Sequence, residues 1–175
     1  MWQHLVDVDT LKLLYFTYVR CRLEYASIVW SPMYSIHISS LERVQRRFLK
    51  NGVHMLTGSY PPRGYPNDLL LGQLGMSSLL PRRAGHSVVF LFKLIQGLVD
   101  CSDLLSQVTF KVNHPACRTK NTFFLPTRRT NTGLSSPVVR VMINYQNIEG
   151  MVDIFCCGID AIKRCYFNPL MRDQQ

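Results

Sequence analysis

The sequence predicts a mainly α fold: a small helical bundle over residues 1 to about 57, a linker loop over 58–66, and a helical region over 67–175 with one short β-hairpin-like excursion. Three observations predict it. Apolar residues recur at helical spacing in the longer segments, as in Leu11, Leu14, Tyr15 and Tyr18. Start and stop signals bracket those segments, with Ser39, Ser77, Ser78, Ser135 and Ser136 as starts and Gly52, Gly75 and Gly97 as stops. Hydrophobic residues make up 47% of the 175, enough for a core, which argues against disorder throughout.

The first helix is predicted from about Val8 to Trp30. Leu11, Leu14, Tyr15, Tyr18, Tyr25 and Val29 form its core-facing stripe, interrupted at Arg22. Ser31-Pro32 ends it, because the residue before proline is pushed out of the α region. Ser39 with Glu42 reads as a capping box for the second helix. Leu41, Val44 and Phe48 are its apolar stripe, and Asn51-Gly52 its stop. Residues 58–66 (Gly-Ser-Tyr-Pro-Pro-Arg-Gly-Tyr-Pro) are a loop by composition. Asn67 caps a short helix through Leu71, ended by Gly72 or Gly75. Ser77 or Ser78 caps the next, which runs to about Gln96 with Gly97 as its stop and Pro81 in its first turn. Val88, Leu91, Phe92, Ile95 and Leu98 give it a broad buried face.

Beyond Asp103 the pattern changes. Val108–Val112 alternates as a short strand, and residues 123–126 pair with it across a polar loop around His114-Pro115. Residues 128–137 read as a loop. Pro137 then opens a helix to about Tyr145, with Val138, Val141, Met142 and Tyr145 on one face. A final helix is predicted over Asp153–Phe167, with Ile154, Phe155, Ile159, Ile162 and Tyr166 on its apolar side.

Lys and Arg number 20 against 11 Asp and Glu, a net charge of +9. An excess of this sign suits a polyanionic partner, since each phosphate contact releases counterions. The charge is clustered. Asp103 to Glu149 encloses no acid but holds Lys111, Arg118, Lys120, Arg128, Arg129 and Arg140. Arg43, Arg46, Arg47 and Lys50 are offset locally only by Glu42. Two readings of that second cluster stand side by side: a solvated face whose cations complement the helix dipole, and a phosphate-contacting face. Phe123, Phe124 and Tyr145, interleaved with the first cluster, are candidates for base stacking.

Catalytic patterns are missing from the sequence. It has no Gly-rich phosphate loop, no Gly-x-Ser-x-Gly and no Asp-Asp pair to hold two magnesium ions. Asp7/Asp9 and Asp100/Asp103 lie where helix capping accounts for them. The chain is therefore not expected to be an enzyme by itself. Cys101, His114 and Cys117 lack the paired short spacings of structural zinc, so no metal site is expected. No secretory leader is read in Met1–Thr10, and no apolar run is long enough for a membrane span. The six cysteines are accordingly expected as free thiols in an intracellular protein of the cytoplasm or nucleus, with no membrane contact.

Residues 11–32 read LKLLYFTYVRCRLEYASIVWSP, and residues 41–49 read LERVQRRFL. Together they resemble the segment after the palm of non-LTR retrotransposon reverse transcriptases of the insect, jockey-like type. In that family a helix ending Leu-Glu-Tyr-Ala/Gly-Ser-x-x-Trp precedes one with Leu-Glu-x-Val-Gln-Arg-Arg. The match covers Leu23–Ser27, Trp30 and Leu41–Arg47. It continues more loosely through Leu74-Gly75-Met76, Leu79, Arg82-Arg83 and Phe92–Gly97. Arg128–Asn131, Ser136-Pro137, Arg140, Tyr145-Gln146-Asn147 and Asp153-Ile154-Phe155 complete it, Tyr-Asn being more usual than Tyr-Gln in such tails.

The resemblance implies a thumb-like segment over 1–57 and a post-thumb region over 67–175, the non-catalytic C-terminal part of an RNA-directed DNA polymerase. The family's catalytic aspartates and their magnesium belong to a palm that this sequence does not contain. The implied partners are an RNA or RNA–DNA duplex backbone and the parent's palm domain. Residues expected at nucleic acid are Arg43, Arg46, Arg47 and Lys50 from the helix, with Lys120, Arg128 and Arg129 from the acid-free stretch between Asp103 and Glu149. The alternative is a protein-interaction or decayed structural remnant with no activity of its own.

Overall fold

A computed structural model describes residues 7–112 and 121–167. The chain is mainly helical, as expected. It forms two compact units: the described parts of Met1–Ser27 with Pro32–Pro81, and of Ile28–Ser31 with Arg82–Gln175. Loop 58–66, expected to be a linker, lies inside the first unit.

In the first unit α1 (Val8–Leu14) runs on through a π-helical stretch, Tyr15–Arg20, into α2 (Cys21–Glu24). Asp7 starts it by accepting from the Val8 backbone N–H at 2.8 Å. The helix does not reach Trp30. It breaks at Tyr25-Ala26, where Ala26 has φ +49°, and a four-residue α3 (Ser27–Trp30) follows. Of the expected stripe only Tyr15 is buried; Tyr18, Tyr25 and Val29 are exposed.

Helix α4 spans Ser35–Thr57, longer at both ends than the capping signals predicted. Ser39 lies inside it, and the box with Glu42 does not form. Glu42 instead reaches across 38 positions, its Oε1 accepting from the Leu80 backbone N–H at 3.0 Å. Gly52 is not a stop either. A Cβ there would lie 2.9 Å from Leu74 Cδ1, so the residue lets α5 (Asn67–Leu74) pack close. Gly58, left-handed at φ +70°, ends the helix and donates to His54 O. The buried row is Gln45, Leu49, Gly52 and Val53, one position round from the predicted one, and Val44 is exposed. Leu49 and Leu70 are fully enclosed, each burial contributing about 2 kcal/mol. Tyr15, Val53, Leu71, Leu74 and Met76 complete this core.

The second unit is built on α6 (Leu79–Ile95), which Gly97 ends at φ +68°. Val88, Leu91 and Phe92 are buried as expected, but Leu94 takes the place of Leu98, which is exposed beyond the stop. Among the described residues the β-like excursion is one antiparallel bridge, Phe110 with Phe123, after α7 (Ser102–Ser106). The stretch read as a loop over 128–137 contains a short α8 (Asn131–Leu134) capped by Thr130. Helix α9 (Pro137–Gln146) begins at its proline. The last helix is shorter than predicted: α10 is Ile159–Phe167, and Phe155 is exposed before it. Gly85 admits α10, since a Cβ there would meet Tyr166 Cβ at 2.6 Å.

Candidate nucleic-acid interface

The basic cluster of α4 divides by where the helix turns each side chain. Arg43 and Arg47, one turn apart, are exposed. Arg46 and Lys50 are half-buried and tied to the loop that follows the helix. Arg46 Nη2 donates to Tyr65 O, and Lys50 Nζ donates to Pro62 O at 3.1 Å while lying over the Tyr60 ring at 5.6 Å. These two cations hold loop 58–66 in place, so the four are not one phosphate-facing set. The only acid in α4, Glu42, is engaged at the start of α6. The outward face is left with Arg43 and Arg47.

In the second unit Arg128 and Arg129 are exposed just before α8, and Lys111 is exposed beside the Phe110 bridge. Lys120 and Arg118 lie outside the described residues, as do His114 and Cys117 of the weighed zinc spacing. Arg140 is turned inward. Its guanidinium donates to Ser135 O at 3.1 Å, to Ser31 O at 3.3 Å and to Ile28 O. Burial pulls its pKa below the ordinary arginine value. Two of the three aromatics expected to stack bases are unavailable: Phe123 and Tyr145 are each 1% exposed, and only Phe124 is open to solvent. The Tyr145 hydroxyl donates to Val152 O and accepts from Ile154 N, both at 3.1 Å, fixing the turn before α10.

Beside Arg47 an apolar groove of about 440 Å³ separates the α1–π rod from α4. Leu11, Leu14, Tyr18 and Val19 form one wall, Val44 and Phe48 the other, and Tyr15 stacks on Phe48 at 4.1 Å. A π turn bonds i to i+5, which places Leu14 and Val19 on one face. Sequence periodicity of 3.6 assigned Leu11, Leu14, Tyr15, Tyr18, Val44 and Phe48 to apolar helix faces, and Val19, outside that stripe, joins the groove through the five-residue spacing from Leu14.

The five described cysteines are unbridged. The Cys156 thiol is pushed above its ordinary range, first by its hydrogen bond with the Asp153 carboxylate, so it is a poor nucleophile near neutrality. Among the described residues no group of three His, Cys, Asp or Glu is placed to hold a metal, and no helix is long and apolar enough to cross a membrane. Comparison with known protein families, curated proteins and solved structures finds no match.

Proposed function

We propose that the chain is the thumb and post-thumb part of a non-LTR retrotransposon reverse transcriptase, and that it contacts the primer–template backbone without catalysis. RNA-directed DNA synthesis, with its magnesium, belongs on this reading to the parent's palm. The observation that carries it is the outward pair Arg43 and Arg47 on a helix whose single acid is engaged elsewhere. Backbone contact needs such cations without base-specific donors. The placement of the resembling blocks supports the family assignment. Trp30 lies against Arg83, 4.2 Å from its guanidinium carbon; Ser31 meets Arg140; and Tyr145 meets Ile154. The first two pairs join blocks far apart in sequence, and the third joins neighbouring blocks nine positions apart. Ala26, where the family pattern admits Ala or Gly, is the one described non-glycine residue at positive φ.

The test is fluorescence anisotropy of a labelled RNA–DNA primer–template across a salt series. We expect a log–log slope of magnitude about three or more. The double variant Arg43→Ala/Arg47→Ala should flatten it by roughly two, while Arg46→Ala leaves it unchanged. Absence of binding at low salt rejects the proposal. A second reading, a protein-interaction remnant, is favoured by one observation, the solvent-open apolar groove beside Arg47.

A further inference from the structure

The groove between the α1–π rod and α4 has a chemical preference as well as a shape. Its floor and walls are apolar, with Leu11, Leu14, Val44 and Phe48 contributing. Leu14, Tyr18 and Val44 are exposed there, at 45%, 67% and 44%. Both walls are helices whose backbone N–H and C=O groups are used internally, so the groove offers no strand edge to an extended peptide. A helix laid between two helices fits instead, anchored by apolar residues at i, i+3, i+4 and i+7. From Leu11 to Tyr18 the wall is about 10 Å long, two turns of such a helix.

The charge at the rim then selects the occupant. Arg47 lines the groove, and Arg43 extends the same edge one turn back. On the facing rod, Asp9 is paired with Lys12 at 3.2 Å, and Asp7 caps the Val8 N–H. Glu42, the acid of α4, is directed to Leu80. The α4 rim is therefore basic at Arg43 and Arg47, with the one acid of the helix, Glu42, keeping its charge but bonded to the Leu80 N–H. A second copy of this chain, at +9, is poorly matched to it.

We propose that this groove docks an amphipathic helix of a partner protein that carries acidic residues along one flank, placed against Arg43 and Arg47. The inference stands without nucleic-acid binding, although both use the same two arginines.

The test uses two fluorescein-labelled helical peptides of roughly 14 residues, with identical leucine anchors and either Glu or Lys along the flank. Each is titrated with the full chain by anisotropy at about 0.15 M ionic strength. The Glu peptide should bind about tenfold more tightly, the scale of two exposed ion pairs. Arg43→Glu/Arg47→Glu should invert the preference toward the Lys peptide. An unfolded variant binds neither, so inversion cannot arise from misfolding. Leu14→Ser/Val44→Ser should weaken the Glu peptide and leave primer–template affinity unchanged, which separates this inference from phosphate contact. Equal affinity for the two peptides, or none for either, overturns it. So does a dimer seen by sedimentation that Leu14→Ser/Val44→Ser dissolves, which assigns the groove to a second copy.

Discussion

Single residues decide how closely the helices approach. At Gly85 a methyl group would overlap the Tyr166 Cβ and ring, which belong to a packed helix and cannot swing away. Gly85→Ala should therefore destabilise the second unit by about 1–3 kcal/mol, even after its gain in helix propensity. At Gly52 the clash is with the tip of Leu74, which can rotate, so Gly52→Ala should cost less than Gly85→Ala in urea denaturation. Composition marked the glycines but read Gly52 as a helix stop, because a sequence shows no neighbour across space. Arginines were misread for the same reason. Charge counts treat Arg43, Arg46 and Arg140 alike, yet one faces solvent and two donate to carbonyls.

Tyr145 carries a pH signature at this scale. Burial, the largest cause, raises its hydroxyl above the ordinary tyrosine value, against the lowering effect of its bond from Ile154. A raised folded value means the neutral form is favoured in the native state. Its contribution is complete below the unfolded value of about 10 and is lost as pH rises through the folded one. Alkaline titration of stability should thus show a decline above pH ~10 that Tyr145→Phe removes. The same variant should cost about 2 kcal/mol at neutral pH, because Val152 O and Ile154 N lose their partner.

Helices here are ended and started by residues that local grammar could not always name. The glycine stops at 75 and 97 and the proline start of α9 were legible, since each acts through its own backbone. The start of α6 was legible too, at Ser77-Ser78, but not the acceptor of its Leu80 N–H, which is Glu42 from another helix. Glu42→Ala should destabilise the first turn of α6 by about 1 kcal/mol, and Glu42→Gln by less, since an acceptor remains. Thermal melts of the two variants should separate in that order. The α1–π rod is the clearest departure. A wider turn between ordinary α segments breaks the 3.6-residue period, so a stripe predicted as core opens as a groove wall.

Taken whole, the chain has a separate apolar core in each unit, one around Leu49 and Leu70, the other around Met142 and Ile162. Destabilisation should stay local: Gly85→Ala is expected to speed hydrogen exchange in α9 and α10 while the amides of Leu70 and Leu71 keep their protection. Mainly α architecture was readable from apolar spacing and caps. The division into units was not, because the loop richest in proline and glycine is pinned by Arg46 and Lys50, and the change of unit falls within α6.

Arg140 also imposes an order in time. Its carbonyl partners at Ile28 and Ser31 precede it by 112 and 109 positions. They leave the ribosome long before the arginine exists, within a stretch whose neighbours on both sides belong to the earlier unit. The first unit has all its residues once Pro81 has emerged, but the Ile28 and Ser31 carbonyls wait for their arginine until α9 is made. A nascent chain stalled before Arg140 would therefore display the Ile28 and Ser31 carbonyls without their anchor, with Trp30 held only by Arg83.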